Sequence, residues 1–202
     1  KYRIGYFKNV EKAFSVGLSK SKGKFINFHG DDDFFVLKNL KQLSNELFIQ
    51  DNKWIIFHGT YINNNFKEIR KFMSGIKFFL LKNYKNFDLS LINFLMTPSV
   101  FVNRSIATKL GGLGIKKQSA SDYRLWLRIN SRYEPKIILK NLTNAMLTNE
   151  TVTGKFEYKR YIFQAKQMIK YSKMNFIGNL FIIIITIITI IYNFVAKGLF
   201  LK

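Results

Sequence analysis

Asp31, Asp32 and Asp33 stand in a row in the stretch KGKFINFHGDDDFF, directly after an apolar run. The chain carries 33 Lys plus Arg against 12 Asp plus Glu, and the triplet holds half of its six aspartates. Adjacent carboxylates repel one another, and a divalent cation turns that repulsion into ligation. Hard oxygen ligands at a strand end suit Mg²⁺ or Mn²⁺, which keeps water and substrate phosphates in its other positions. The plainer alternative is a solvated turn or the first turn of the helix that follows, where Asp is also favoured. Asp122 is the second candidate, with only Asp51 and Asp88 besides it outside the triplet. It opens a helical segment beside a Tyr-Arg-x-Trp-x-Arg face. A carboxylate there can serve as a general base, or simply as a helix cap. His29 and His58 each close an apolar run, but no cysteine or spaced histidine supports a zinc site. Trp126 is expected in the core rather than as a platform for a sugar.

These residues need elements to position them. Val10, Ala13, Phe14, Gly17 and Leu18 fall at helical spacing over 9–21, and Gly23 suits the position just past the helix end. KFINF reads as a short buried strand that stops at His29-Gly30. The triplet thus lies beyond a carboxyl end, where ligands collect in open α/β sheets. Leu37, Leu40, Leu43 and Leu47 mark a second helix, and WIIFHG a second buried strand. Asn63-Asn64-Asn65 between apolar flanks reads as a hairpin turn. The stretch 70–95 is aromatic, basic and without clean periodicity, and is read as a partly helical excursion. TPSVFVN reads as a strand entered through Pro98, and RSIATKLGG as a short helix closed by Gly111-Gly112. Ser121 or Asp122 caps a helix carrying Leu125, Trp126 and Ile129, which Glu134-Pro135 ends. KIILK and TNAML are two further strand candidates. Strands alternating with helices give an α/β fold.

At 202 residues, 48% of them apolar and 16% aromatic, the chain can bury one good core and is not a disordered polymer. The net charge of +21 favours nucleic acid, anionic lipid or phosphorylated substrates as partners. Without cysteine, disulfides and thiolate chemistry are excluded. The stretch 176–196, FIGNLFIIIITIITIIYNFVA, carries no formal charge and is long enough to cross a hydrocarbon core. Lys155, Lys159, Arg160, Lys166, Lys170 and Lys173 precede it, and only Lys197 and Lys202 follow. That asymmetry puts the body of the protein on the cytoplasmic side of a membrane. A buried β-branched core helix or a pair of strands is the alternative.

Four segments in order resemble the family 2 glycosyltransferases with the GT-A fold. NVEKAFSVGLSKSKGKFINFHGDDDFFVLKNL is similar to that family's A-x-N-x-G helix, its A-x-G-x-hydrophobic stretch and its strand ending in an acidic D-x-D or x-D-D element. IIFHGT resembles the following strand that ends in Gly-Asp. MTPSVFVNRS resembles the acceptor-side strand, and LGGLGIKKQSASDYRLWLRI the G-G-F…D-Y-D-L-W-L-R segment. The match covers about Val10 to Thr153. Ser15 stands for the usual Asn, Gly30 for the first acidic residue, Thr60 for the Asp after Gly59, and Thr97 for the usual His. The family's first strand–helix units have no counterpart.

The resemblance implies a Rossmann-like mixed sheet flanked by helices, N-terminally truncated, with a C-terminal hydrophobic helix. It implies a partial glycosyltransferase domain over 1–154, a basic juxtamembrane helix over 155–175 and a membrane anchor over 176–196. Asp122 would be the catalytic base of an inverting transfer. Ser15, Gly17, Asp31, Asp32 and Asp33 would bind the nucleotide sugar, with Asp32 and Asp33 holding Mg²⁺ or Mn²⁺. The partners implied are a nucleotide-sugar donor, a glycan or lipid-linked acceptor of surface polysaccharide synthesis and an anionic membrane surface, without nucleic acid. Two competing readings are a basic nucleic-acid-binding protein, for which no signature is visible, and a non-catalytic membrane scaffold with the same fold. A Mg²⁺-dependent phosphoryl-transfer enzyme lacks a Gly-Lys-Ser/Thr phosphate loop.

Overall fold

A computed structural model describes residues 6–48, 52–86, 89, 93–113, 121–146 and 158–171, with 180, 182–184, 186–188 and 190–191 in addition. The first helix, α1 (Tyr6–Lys20), leads into β1 (Phe25–Asn27). There follow β2 (Asp33–Phe35), a 3-10 turn at Leu37–Asn39 and α2 (Leu40–Phe48). Next come β3 (Trp54–Ile62), β4 (Glu68–Ile69) and α3 (Lys71–Lys82). A 3-10 turn at Thr97–Ser99 opens β5 (Val100–Asn103), which runs into α4 (Arg104–Lys109). The last elements are α5 (Ser121–Asn130), β6 (Lys136–Met146) and α6 (Tyr158–Tyr171).

The strands form one mixed sheet in the order β1-β5-β3-β6-β2, with β4 paired to β3. Only β3 and β6 run parallel; the other pairs are antiparallel. Alternate residues of β3 explain how both faces are filled. Trp54 and Ile56 join a core with residues of α4, α5 and α6. Ile55 and Phe57 pack with Phe101, Leu142 and Leu43 of α2 on the other side. Trp126 is 1% exposed and stacks at 6.4 Å on Trp54, so it is core, as its helical spacing predicts. The Trp54 indole also donates to the Tyr133 carbonyl at 3.0 Å.

The α/β expectation holds, with three differences of detail. KIILK and TNAML are one continuous strand, β6, whose register against β3 shifts on both sides of His58. The bulge lets β6 absorb its polar middle without breaking. The helix α5 stops at Asn130, before Pro135, which instead admits the chain to β6. Phe34 and Phe35 belong to β2, not to the following helix. Elsewhere the pattern is followed closely. The Asn63 side chain accepts from the amides of Asn65 and Lys67 at 3.0 Å, closing the hairpin. Gly111 and Gly112 have φ of +79° and +54°, and the Gly112 amide returns to the Ala107 carbonyl at 2.8 Å, which ends α4.

Most of the stretch 176–196 lies outside the described residues; those described within it are helical. Among the described residues no helix is long and apolar enough to cross a membrane. Within 155–175, α6 buries Ala165 and Met168 in the core it shares with α5.

Candidate active site

The strand directions gather one end of the sheet. β1, β3 and β6 run toward that end of the sheet, and β2 and β5 run away from it. The Asn27 side-chain amide donates to the carbonyls of Pro98 and Val100, both at 2.9 Å, and so ties the end of β1 to the Thr97–Ser99 turn. The turn Gly30–Asp33 sits at this same end. It is pinned by its own register, Asp33 opposite Ala145, and by the Met146 amide donating to the Asp32 carbonyl at 3.0 Å. His29 Nε2 lies 2.9 Å from the Asp33 carbonyl, and its ring stacks at 4.4 Å on Phe35.

Within the turn the three aspartates differ. Asp31 is exposed, while Asp32 and Asp33 are half-buried. The Gly30 amide donates to Asp33 Oδ2 at 2.8 Å. Burial pushes the Asp33 carboxyl up from its ordinary value; the Gly30 amide opposes this and neighbouring Asp32 adds to it. Gly30 explains the convergence. A Cβ there would lie 2.5 Å from Asp32 Oδ1 and 3.0 Å from Asp33 Oδ2. Two carboxylate oxygens therefore face the space that a side chain would fill. Among the described residues no group of three or more His, Cys, Asp or Glu gathers elsewhere as a metal site, nor does one gather here. A two-carboxylate set still suits Mg²⁺ or Mn²⁺, which is often held by one or two carboxylates plus phosphate oxygens. Asn27 Oδ1 and His29 Nδ1, buried at the same strand end, have no hydrogen-bond partner, which leaves polar capacity for a ligand or water there.

Asp122 lies in the first turn of α5 and is half-buried. The Thr97 hydroxyl donates to its Oδ2, and the Tyr123 amide lies 2.7 Å from its Oδ1. The Thr97–Ser99 turn and the start of α5 are therefore joined directly. Thr97 occupies the position where the resemblance expects His, and it supplies a hydroxyl donor instead. Thr60, in place of Asp, donates to the Asn144 side chain at 2.9 Å, and Asn141 joins them. Ser15 is half-buried and Gly17 exposed on α1, with open space around Gly17. Phe14 of α1 packs at 5.2 Å on Phe28, beside the acidic turn. The residues that sequence reasoning passed over as site elements are Gly30 and Thr97. Each was visible only as a departure from the pattern.

The mixed sheet flanked by helices is a fold shared with solved structures of other proteins. Among them is TarS of S. aureus, residues 1–349. The form in complex with UDP superposes with a TM-score of 0.55 at 11% identity, over 84% of this chain and 47% of that one. The free form gives 0.53 at 14%, over 82% and 46%. The form in complex with UDP-GlcNAc gives 0.51 at 13%, over 79% and 46%. The chain thus spans about half the length of the structures it matches. No protein-family model matches the chain, and no curated protein matches it in sequence.

Proposed function

We propose that this chain carries the transfer site of a family 2, GT-A glycosyltransferase, moving a sugar from a nucleotide donor to a glycan or lipid-linked acceptor with inversion. The observation that carries this reading is that the Asp32–Asp33 carboxylates converge over Gly30 and the Thr97 hydroxyl holds Asp122, both on elements at the same end of the sheet. A fold shared with TarS, solved in complex with UDP and with UDP-GlcNAc, supports a nucleotide-sugar donor.

In this mechanism Asp32 and Asp33 orient the diphosphate of the donor. A divalent cation, Mg²⁺ or Mn²⁺, bound between them would offset the negative charge of the departing nucleoside diphosphate. Asp122 takes the proton of the acceptor hydroxyl as that oxygen attacks the anomeric carbon. The bond from Thr97 holds the accepting carboxylate in place. One base and one acidic pair suffice for a single displacement, without a second nucleophilic carboxylate. Ser15 and Gly17 would border the donor from α1. The apolar stretch 176–196 and its basic flank support a membrane-associated protein whose body lies on the cytoplasmic side.

The test uses the chain, with whatever precedes it in its natural reading frame, and UDP and UDP-GlcNAc as first probes. Binding that appears on adding Mn²⁺, together with release of UDP as the sugar passes to an acceptor in an added extract, is the expected result. Binding indifferent to metal would remove the role of Asp32 and Asp33, and retained turnover in Asp122→Asn would remove that of Asp122.

A further inference from the structure

A second concave feature lies away from the acidic turn. Lys109, Leu110 and Gly111 at the end of α4, Arg128, Ser131 and Arg132 at the end of α5, and Tyr171 at the end of α6 line a groove of about 400 Å³. Three of these seven residues are cations, and none is Asp or Glu. Lys170 adds a fourth positive charge at the rim, 5.6 Å from the centre of the Tyr171 ring. Helix carboxyl ends attract cations by themselves, and Arg128 partly answers that need by donating to the Gly112 carbonyl. Lys109 and Arg132 are exposed and extend the charge beyond it. Burial and neighbouring Arg124 both lower the Arg128 pKa, as expected for a cation crowded by a cation.

A second groove makes the contrast. Lys38, Lys41 and Lys140 line a cleft of about 460 Å³ together with Glu46. There the acid is built in, and it also approaches Lys136 at 4.0 Å. At the α4–α5–α6 groove no lining residue supplies the anion. Arginine forks in such a place are suited to phosphate oxygens.

We propose that the groove between the ends of α4, α5 and α6 is a phosphate-binding site, taking the phosphate of a phosphate ester. Arg124, Arg128 and Arg132 follow one another at intervals of four residues. Arg124 and Arg128 share one face of α5, two and six residues after Asp122, and Arg132 lies two residues past the helix end at Asn130. The binding of phosphate there does not depend on the sugar-transfer reading. The shared chemistry is a phosphate ester, borne either by a soluble chain or by a lipid headgroup.

Tripolyphosphate is the probe, titrated calorimetrically into the full chain. Binding is expected, and Lys109→Glu with Arg132→Glu should weaken it roughly tenfold or more. Lys38→Glu with Lys41→Glu makes the same change of charge and should weaken it less than about twofold. Equal losses, or no binding by the unaltered chain, would overturn the site and leave the sugar-transfer reading standing. A readout free of mutation is acetylation of lysines in the unaltered chain. Tripolyphosphate should shield Lys109 more than Lys38, and equal shielding overturns the proposal. Sedimentation with phosphatidylcholine vesicles containing phosphatidylglycerol separates the sources. If the groove variant no longer sediments, the phosphate is a lipid headgroup; if it sediments unchanged while losing tripolyphosphate, the phosphate belongs to a soluble chain.

Discussion

The carboxylates of Asp33 and Asp122 share one end of the sheet and are held in opposite ways. The Asp33 carboxylate is held from within its own turn, by the Gly30 amide. Asp122 is fixed from a distance, by a hydroxyl twenty-five residues earlier in the chain. The first arrangement is made by four consecutive residues and a missing side chain. The second exists only because the turn before β5 is laid against the start of α5. Under the proposed transfer, a turn that grips a cation can be local, since its task is to bring oxygens close, whereas a base must also be aimed, and for Asp122 that aim would come from another element.

Asp122→Asn gives the largest expected effect. It removes the proton acceptor at nearly constant size, so transfer should fall roughly 10²–10⁴-fold. Nucleotide affinity, measured by calorimetry beside initial rates, should stay unchanged. A parallel loss of affinity would erase the division between the two carboxylates. Gly30→Ala attacks the other side. The added Cβ would press on Asp32 Oδ1 and Asp33 Oδ2, so metal-dependent nucleotide affinity should drop roughly 10–100-fold. Turnover at saturating donor should suffer less; if turnover fell while affinity held, the turn would not be the diphosphate site. Thr97→Val should slow transfer roughly tenfold by removing the hydroxyl that aims Asp122. Thr97→Ser should restore most of the rate, and failure of Ser to rescue would mean that the methyl group, not the hydroxyl, matters.

The same contrast explains what the sequence could reveal. The triplet, the glycines after α4 and the Asn63 turn are local features, and each carries its structure within a few residues. The helical spacing of Leu125, Trp126 and Ile129 and the unbroken apolar run in WIIFHG report burial that the fold then uses. The strand β2 was hidden because three residues are too few to show a period, and because Asp33-Phe34-Phe35 owes its extended form to β6. The unity of β6 was hidden by Asn141 and Thr143, polar residues that the bulge beside His58 accommodates. Thr97 and Gly30 looked like losses from a pattern. One proves to be a hydrogen-bond donor and the other a space, and neither property can be read without the partner it faces.

The smallest expected effect extends the contrast from aim to burial. His58 is 8% exposed on β3, its Nδ1 has no hydrogen-bond partner, and its ring meets Phe78 at 5.2 Å. Burial, with Lys77 nearby, lowers its pKa from 6.5. The same desolvation raises the Asp33 pKa; in both cases the charged form is disfavoured. For His58 the sign is fixed by the unfolded chain, which takes up a proton below about pH 6.5 while the folded one resists. Stability is therefore full above that pH. As the pH falls below it, stability is lost by at most about 1.4 kcal/mol per pH unit until the folded pKa is reached. Chemical denaturation across the acid to neutral range should show this slope in the unaltered protein and a flatter one in His58→Gln. If the two slopes were alike, water would be reaching the middle of β3. The desolvation that separates Asp33 from the better-hydrated Asp31 would then have to be reconsidered on the same sheet.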